Sequence, residues 1–218
     1  MISPNNSAAG GDAPAQKAAR EPRPRSKRAE ITKERIVQAA AKAFAERGYL
    51  GVNLNEVVTQ LGLTKGALYY FFPTKPALAV EIVGRHFGRW EPLATGVIAA
   101  HDHVLDGIIE VTYRVARIYQ TDNIARAGTR LSTERMLIDA ELPEPFVGWV
   151  ERLANLIEKG QGTRQIRSDV NPAAIAQLIV AFFYGAQAVS EHFTERADLI
   201  ERLDQFWAVI GPYLRSIP

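Results

Sequence analysis

The chain has 218 residues, of which 47% are hydrophobic and 23% are charged, and its formal net charge is +2. This composition is typical of a globular protein with a sizeable core, and it excludes a wholly disordered chain. Because the sequence contains no cysteine, disulfides, thiol nucleophiles and cysteine-ligated zinc are excluded, and a cytosolic compartment is expected.

Residues 1–28 are rich in Ala, Gly, Pro, Ser and Asn, and they are predicted to form a disordered basic arm. They contain no apolar run of the kind that a secretory signal requires. The arm ends in a basic run that includes Arg25, Lys27 and Arg28, which are candidate contacts for a nucleic acid. A tail that only improves solubility is the alternative.

Charge is distributed unevenly along the chain. Residues 1–80 carry 12 Lys or Arg against 6 Asp or Glu, a net charge of +6, whereas residues 81–218 carry 14 against 18, a net charge of −4. A basic front and an acidic rear indicate that the front of the chain meets a polyanion. A basic tail on an otherwise neutral protein remains the alternative.

After the arm the apolar residues follow helical periodicity and no convincing strand is found, so we predict an all-α fold of about nine helices. The first helix is predicted to begin with Thr32 as its cap and to stop at Gly48. The second is predicted to begin after Asn53, with Glu56 in the position of a capping box, and to stop at Gly62.

Two further caps predict the next helices. Thr64 is expected to cap a short third helix that is closed by Pro73. Thr74 is expected to cap a longer fourth helix that runs to Trp90, where Pro92 ends or kinks it.

Five longer helices are predicted in the rear of the chain, near residues 102–119, 122–135, 143–160, 172–193 and 196–214. Asn171 followed by Pro172 is a strong start signal for the eighth of the nine helices. The apolar tract of residues 172–189 contains Gln177 and falls short of the ~20 apolar residues of a membrane span. No membrane segment is therefore predicted.

The stretch LGLTKGALYYFFPTK, residues 61–75, predicts a helix-turn-helix, because a tight glycine turn joins two short helices. The hydroxyl and cation that open its second helix suit phosphate, and the small residues permit close approach to a groove. Adjacent tyrosines point about 100° apart on a helix, so at most one can be fully core. The candidate DNA contacts are Thr64, Lys65, Gly66, Ala67, Tyr69, Tyr70 and Lys75. A purely structural three-helix subdomain is the alternative.

The segment AAAKAFAERGYLGVNLNEVVTQLGLTKGALYYFFPTKPAL resembles the DNA-binding head of the tetracycline-repressor (TetR) family, and the resemblance covers about residues 32–80. It implies an all-helical homodimer that binds a double-stranded DNA operator. The DNA-contacting positions that it implies are Thr64, Lys65, Ala67, Tyr69, Tyr70 and Lys75. It also implies that Asn53 lies where a phosphate is held. The basic arm is not required by such a head, and entry into an adjacent minor groove is one candidate role for it.

The rear helices are apolar enough to surround a cavity, and a ligand cavity needs a few polar groups in an apolar wall. The candidate ligand-binding residues are His86, Phe87, Tyr113, Leu131, Ser132, Phe146, Trp149, Phe183, Tyr184 and Gln187. An ordinary packed core is the alternative for each aromatic residue among them. We divide the chain into the arm 1–28, a DNA-binding domain 29–76 and a ligand-binding and dimerisation domain 77–218.

The stretch ARAGTRLSTERMLIDAELPEPFVGW, residues 125–149, resembles the receptor subgroup for γ-butyrolactone, butenolide and furan signalling molecules. The resemblance implies a small amphipathic effector with a polar ring, and Trp149 as a wall of its pocket. A furan-type effector would carry a carboxylate, for which Arg130 is a candidate partner, although an interhelical ion pair is the favoured interpretation of Arg130. A sensor of drugs or metabolites, and an effector-blind DNA-binding dimer, are the rival hypotheses.

The last two helices, about 172–193 and 196–214, are predicted to form the homodimer face, because small residues allow close approach and apolar residues supply bulk. The sequence shows no catalytic constellation and no glycine-rich phosphate loop. His101 and His103 are two residues apart and do not share a helix face, so a surface loop is expected there. We therefore predict no enzyme activity, no cofactor and no metal site.

Overall fold

The computed structural model describes residues 27–143 and 148–216, which form ten α-helices and a short 3₁₀ turn at Arg135–Leu137. The helices are α1 (Lys27–Arg47), α2 (Leu54–Gln60), α3 (Lys65–Phe71), α4 (Lys75–Gly88), α5 (Trp90–Ala99), α6 (Val104–Thr121), α7 (Asn123–Thr133), α8 (Trp149–Gly162), α9 (Pro172–Thr194) and α10 (Leu199–Leu214). The extended pairing found within these residues is one isolated bridge between Ile166 and Arg215. The all-α class with a helix-turn-helix head is confirmed.

The first helix begins at Lys27, so the prediction that Thr32 caps it is wrong. The Thr32 hydroxyl lies inside α1 and donates to the Arg28 carbonyl oxygen at 2.9 Å, four residues back along the same helix. A threonine in a helix interior satisfies its hydroxyl in this way. Lys27 and Arg28 therefore belong to the first turn of α1, whereas Arg25 and the rest of the arm lie outside the described residues.

Four of the predicted caps are found at their helices, because a side-chain oxygen accepts from a backbone N–H in the first turn. These residues are Asn53, Thr64, Thr74 and Asn171. The predicted capping box at the second helix also required the Glu56 side chain to accept from the Asn53 N–H, and this part of the prediction is wrong. The Glu56 carboxylate does not turn back to Asn53 but lies 3.2 Å from the Arg47 guanidinium at the end of α1.

The fourth helix ends at Gly88, and the chain starts a new helix at Trp90 instead of ending or kinking at Pro92. Arg89 joins the two helices with its backbone still in the right-handed helical region. Pro92 lies in the first turn of α5, where the N–H that proline lacks has no helical partner in any case. The segment Trp90–Ala99 is thus a helix that the sequence analysis did not assign.

The described residues form two large hydrophobic cores and a small third cluster of Ala94, Val97 and Val111, and α7 contributes to both large cores. The head core contains buried residues of α1, α2, α3 and α4, together with Ile124, Ala127 and Leu131 of α7. The rear core contains α6, α8, α9 and α10 with Ala125 of α7, and Phe87 packs against both cores. The head is therefore continuous with the rear domain through α4 and α7.

Candidate functional site

The turn between α2 and α3 is a glycine-dependent cap. Gly62 has a φ of +66°, a conformation that glycine adopts without strain. Its N–H donates to the Thr59 carbonyl at 3.0 Å, and the Leu63 N–H donates to the Val58 carbonyl at 2.9 Å. This pair of bonds ends α2 and redirects the chain into α3. The bend between the two helices is therefore specified by residues within and next to the turn itself.

Helix α3 is fixed to the head by one face and exposes the other. Leu68 is fully buried in the head core, and Phe72 follows it there. On the opposite face Tyr69 is 46% exposed and Tyr70 is 70% exposed, so neither tyrosine fills the core. Thr64, Lys65 and Gly66 are also exposed, and Ala67 is half-buried.

Gly66 gives a further indication that α3 meets an external surface. A Cβ atom at this position would meet only the Thr64 hydroxyl oxygen, at 3.8 Å, so nothing within the described chain requires glycine there. Glycine in a helix interior lowers stability relative to alanine by roughly 0.5–1 kcal/mol. A residue without a side chain at this position would let an outside partner approach the helix backbone closely.

Other predicted DNA contacts differ in their availability. Asn53 is exposed, but its Oδ1 accepts from the Asn55 N–H at 2.9 Å. The Lys75 ammonium is half-buried: it donates to the Val52 carbonyl at 2.6 Å and lies 4.5 Å from the centroid of the Tyr49 ring. Burial lowers the pKa of Lys75. Lys75 therefore braces the turn before α2, and its geometry gives the predicted DNA contact no support.

Helix α7 is attached to the end of α1 by a polar clamp. The Arg130 guanidinium donates at 3.0 Å to the carbonyl oxygens of Ala45 and Glu46. It also donates to Glu134 at 3.1 Å, and Glu134 accepts from the Tyr49 N–H at 2.5 Å. The favoured interpretation of Arg130 was an interhelical ion pair. Its contacts with α1 are hydrogen bonds to backbone carbonyl oxygens, and its ion pair, with Glu134, connects residues four positions apart on α7 and its cap.

A cavity of about 150 Å³ lies in the rear domain between α4, α5, α6, α7, α8 and α9. An apolar cavity of that size holds a group as large as benzene. The lining side chains that are described are His86, Phe87, Trp90, Ile108, Val111, Thr112, Val115, Tyr119, Thr129, Ser132, Trp149, Leu153, Ile179, Val180, Phe183, Tyr184 and Gln187.

Buried polar groups are concentrated in one part of the cavity wall, around the Tyr119 hydroxyl. That hydroxyl oxygen accepts from the Thr129 hydroxyl at 3.1 Å and lies 3.4 Å from His86 Nε2, and the Gln187 side chain lies close enough to influence its pKa. His86 and Gln187 are at most 3% exposed, and each keeps an atom, Nδ1 and Oε1 respectively, without a hydrogen-bond partner. We call Tyr119, Thr129, His86 and Gln187 the polar cluster.

The polar cluster is uncharged. Burial, assisted by the nearby Arg89 guanidinium, lowers the pKa of His86 to about 3. Burial raises the pKa of Tyr119 to about 12. Near neutral pH both groups are therefore neutral, and they offer hydrogen bonds without a formal charge.

Seven of the ten predicted ligand-binding residues line this cavity: His86, Phe87, Ser132, Trp149, Phe183, Tyr184 and Gln187. The Ser132 hydroxyl donates to the Gly128 carbonyl at 2.7 Å, so its proton is already used within α7. These side chains line the cavity, but their binding of an effector stays a prediction.

Of the remaining three predicted residues, two do not line this cavity and the third is not described. Tyr113 is turned toward α10, because its hydroxyl donates to Asp204 at 2.6 Å. Leu131 is fully buried in the head core, on the side of α7 that packs away from the cavity. Phe146 lies outside the described residues.

Some lining residues that were not predicted could have been found from helical spacing, because they lie three or four positions from a predicted residue. Ile179 and Val180 precede the predicted residues Phe183 and Tyr184 by four positions, so they lie on the same face of α9. Thr129 precedes Ser132 by three positions on α7. Tyr119 had no such neighbour in the predicted set and could only be placed by the packing of α6.

The outer face of α9 and α10 is unusually apolar for a surface. Phe193 and Val209 are 72% and 71% exposed, and Leu178, Val189 and Tyr213 are also exposed. Phe182 and Phe206 stack at 3.9 Å between ring centroids and line a groove between the two helices. By length and composition alone α9 could cross a membrane, and only 28% of its most apolar window is buried in this chain. An exposed patch of this kind marks an interaction surface.

Comparison with known proteins places both parts of the chain. Residues 36–82 match the family profile described as bacterial regulatory proteins, tetR family. Residues 103–215 match the profile described as tetracyclin repressor-like, C-terminal domain. The second match alone spans half of the chain.

Individual relatives agree with the two profiles. The chain is 33% identical over 185 residues to the A-factor receptor protein of Streptomyces griseus, an alignment that covers 85% of this chain and 64% of that protein. The chain thus spans slightly less than two thirds of that relative.

Solved structures of similar fold extend the comparison. One solved structure is described as the molecular basis for control of antibiotic production by bacterial hormones. Its sequence is 36% identical to this chain and its TM-score is 0.78. The alignment covers 88% of this chain and 100% of that chain. A crystal structure of a γ-butyrolactone receptor (ArpA-like protein) is 26% identical, with a TM-score of 0.72, and covers 87% of this chain and 91% of that chain.

Proposed function

This chain belongs to the TetR family of bacterial regulatory proteins, and on that premise we propose that it is a ligand-responsive transcriptional repressor. It binds a palindromic operator as a homodimer and leaves the DNA when a small amphipathic signalling molecule of γ-butyrolactone, butenolide or furan type binds. One observation carries the proposal: α7 places Thr129 and Ser132 in the cavity wall and Arg130 on the end of α1. Cavity and head therefore share one rigid element.

The DNA-binding half of the proposal rests on the exposed face of α3. The proposed contacts are Thr64, Lys65, Gly66, Ala67, Tyr69 and Tyr70, with Asn53 and the start of α1 at Lys27 and Arg28 beside them. A hydroxyl and a cation at a helix N-terminus bind phosphate, and tyrosine hydroxyls reach phosphates or base edges. In a dimer the two heads enter successive major grooves about 34–36 Å apart.

The effector-binding half rests on the chemistry of the cavity. Its wall is apolar and aromatic apart from the polar cluster, a composition that suits a small molecule with a polar ring and an alkyl tail. The relatives support this class, since they include the A-factor receptor protein and a γ-butyrolactone receptor. In this arrangement the ring lies at the polar cluster, and the tail lies along Trp149 and Phe183.

Coupling between the two halves runs through α4 and α7. The head moves as a unit with α4, because Lys33 of α1 lies 2.9 Å from Glu81 and Arg85 of α4 lies 2.5 Å from Glu34. An effector that separates α4 from α7 turns both heads away from the spacing of the grooves. By linkage, operator DNA then weakens effector binding by the same factor.

The homodimer forms through the apolar outer face of α9 and α10. A twofold axis places the same face on both subunits, so the exposed side chains Phe193 and Val209 become buried against their copies. Four helices, two from each subunit, then pack as a bundle. We place this repressor in the cytoplasm and keep the domain boundary near residue 76, inside α4.

A gel-shift assay tests the proposed function. DNA from around the gene that encodes the protein is titrated with protein at several salt concentrations, with and without an organic extract that contains butenolide or furan signals. Specific binding that the extract abolishes is the expected result. Binding that is indifferent to the extract leaves an effector-blind DNA-binding dimer, and release by unrelated drugs indicates a broader sensor. A Lys65→Ala variant, which lacks an exposed cation of α3, serves as the control for specific contact.

A further inference from the structure

The cavity holds polar groups but no positive charge. Among the described lining residues there is no Lys or Arg, and the titratable side chains are His86, Tyr119 and Tyr184. The undescribed stretch of residues 144–147 has the sequence EPFV, which adds no cation. Since the pKa of His86 is about 3 and that of Tyr119 about 12, neither changes its charge between pH about 5 and pH about 8.

The cations nearest to the cavity are already paired. Arg89 lies 2.9 Å from Asp122, and the buried Arg196 is paired with Glu191 behind the Tyr119 ring. Arg130, the candidate carboxylate partner, donates to the Ala45 and Glu46 carbonyls and to Glu134 instead. Nε and Nη1 of Arg196 have no hydrogen-bond partner, but Arg196 is not among the residues that line the cavity, and neither is Arg89 or Arg130. A carboxylate inside the cavity would therefore meet none of these guanidinium groups at the cavity wall.

An ionised carboxylate buried without a partner is strongly disfavoured, and such a group takes up a proton instead. The polar cluster reinforces this effect. The buried Gln187 Oε1, a hydrogen-bond acceptor, has no hydrogen-bond partner. A hydroxyl group on a ligand would satisfy that acceptor, whereas a carboxylate has only acceptors to offer.

The described lining of the cavity contains no Lys or Arg, and Arg89, Arg130 and Arg196 outside it are paired with carboxylates. From these two observations we infer that the effector is bound uncharged. It is a neutral lactone or butenolide that carries a hydroxyl group for the polar cluster, and a furan carboxylic acid binds only in its protonated form. This inference rests on the proposed function and narrows its effector class from three chemical types to the uncharged ones. The carboxylate of a free acid stays in water.

Three small probes test the inference on the full-length protein: an alkyl-substituted γ-butyrolactone, an alkylfuran carboxylic acid and the methyl ester of that acid. Binding is followed by tryptophan fluorescence, since Trp90 and Trp149 line the cavity, at pH values from about 5 to about 8. The lactone and the ester are expected to keep a constant Kd. The Kd of the acid is expected to rise about tenfold per pH unit above the pKa of the acid.

Over three pH units the acid should therefore weaken about a thousandfold relative to its ester. An acid that binds at pH about 8 as tightly as its ester would overturn the inference. Binding of neither the lactone nor the ester at any pH would overturn it as well. The DNA-binding half of the proposed function is judged separately, by gel shift without any probe, so a failure of one is distinguishable from a failure of the other.

A pair of variants on α7 supplies a control for charge. Ser132→Lys introduces an ammonium beside the cavity that Ser132 lines, whereas Thr133→Lys introduces it at the neighbouring exposed position. At pH about 8 the acid should bind at least about tenfold more tightly to the Ser132 variant, with no gain in the Thr133 variant. An equal gain in both variants would show that general electrostatic attraction, and not the missing cation in the cavity, controls acid binding, which would contradict the inference.

Discussion

Alanine at Gly128 is expected to destabilise the protein, because this glycine sets the distance between α7 and α4. A Cβ atom built there would lie 2.3 Å from His86 Cβ, 2.4 Å from Cγ and 2.9 Å from Cδ2. Ordinary contact begins near 3.4 Å, so the two helices would have to separate by about 1.1 Å. Overpacking of this kind costs about 1–3 kcal/mol, and the better helix propensity of alanine returns about 0.5–1 kcal/mol.

The expected net loss for Gly128→Ala therefore lies between about 0 and 2.5 kcal/mol, with a midpoint of about 1 kcal/mol, and each kcal/mol lowers Tm by about 2–4 °C in a chain of this length. Thermal unfolding followed by circular dichroism measures it. Gly84→Ala is the matched control, because a Cβ at Gly84 meets no atom within 4 Å and the position is exposed on α4. That control should gain about 0.5–1 kcal/mol. If Gly128→Ala were stabilised as much as the control, the close packing of α4 on α7 would be refuted.

Three further predictions test the head and the cavity. Lys65→Ala should flatten the slope of log K against log salt by about 1.8, the contribution of two phosphate contacts, one from each subunit of the dimer. Lys75→Ala should leave that slope unchanged and lower Tm. Operator titrations at several salt concentrations and thermal unfolding curves measure the two effects, and a changed slope for Lys75→Ala or an unchanged slope for Lys65→Ala would contradict the assignment. Because the pKa of His86 is about 3 in the folded protein and about 6.5 in an unfolded chain, stability due to its burial is complete above pH about 6.5 and is lost as the pH falls toward about 3, by up to about 1.4 kcal/mol per pH unit. His86→Asn should therefore flatten the acid limb of urea unfolding free energies between pH about 6 and 4, and an unchanged limb would count against a neutral buried imidazole. Thr64→Ala should lose about 1 kcal/mol of stability with the cap of α3, while Thr64→Ser keeps it; equal Tm values for the two variants would speak against the cap.

Much of the head could be predicted from the sequence because its structure depends on short-range interactions. Gly62 and Thr64 each act on the backbone within three residues of themselves, so their identities suffice to place the turn and the start of α3. Two predicted helix caps failed because the capping side chain formed a different hydrogen bond or ion pair. Thr32 bonded back within its own helix, and Glu56 was drawn to Arg47.

The cavity was predictable in part. Aromatic and polar residues on α9 follow a four-residue spacing, and most of that face does line the cavity. Tyr113 and Leu131 lie on helices that also line it, but on the wrong sides. A helix that packs on two neighbours has two apolar faces, and the sequence does not say which neighbour each face meets.

By itself the sequence determined the helical class, the glycine turn of the head and the basic front, since each depends on residue type at fixed spacing along the chain. Only the tertiary structure decided which polar groups meet. The four residues of the polar cluster come from four different helices, α4, α6, α7 and α9, and Arg130 donates to the carbonyl oxygens of Ala45 and Glu46 at the end of α1. The physical reason is that hydrogen bonds and desolvation act at distances of a few ångströms in space, however far apart along the chain the partners lie. The charge that an effector can carry into this cavity is therefore a property of the packed molecule.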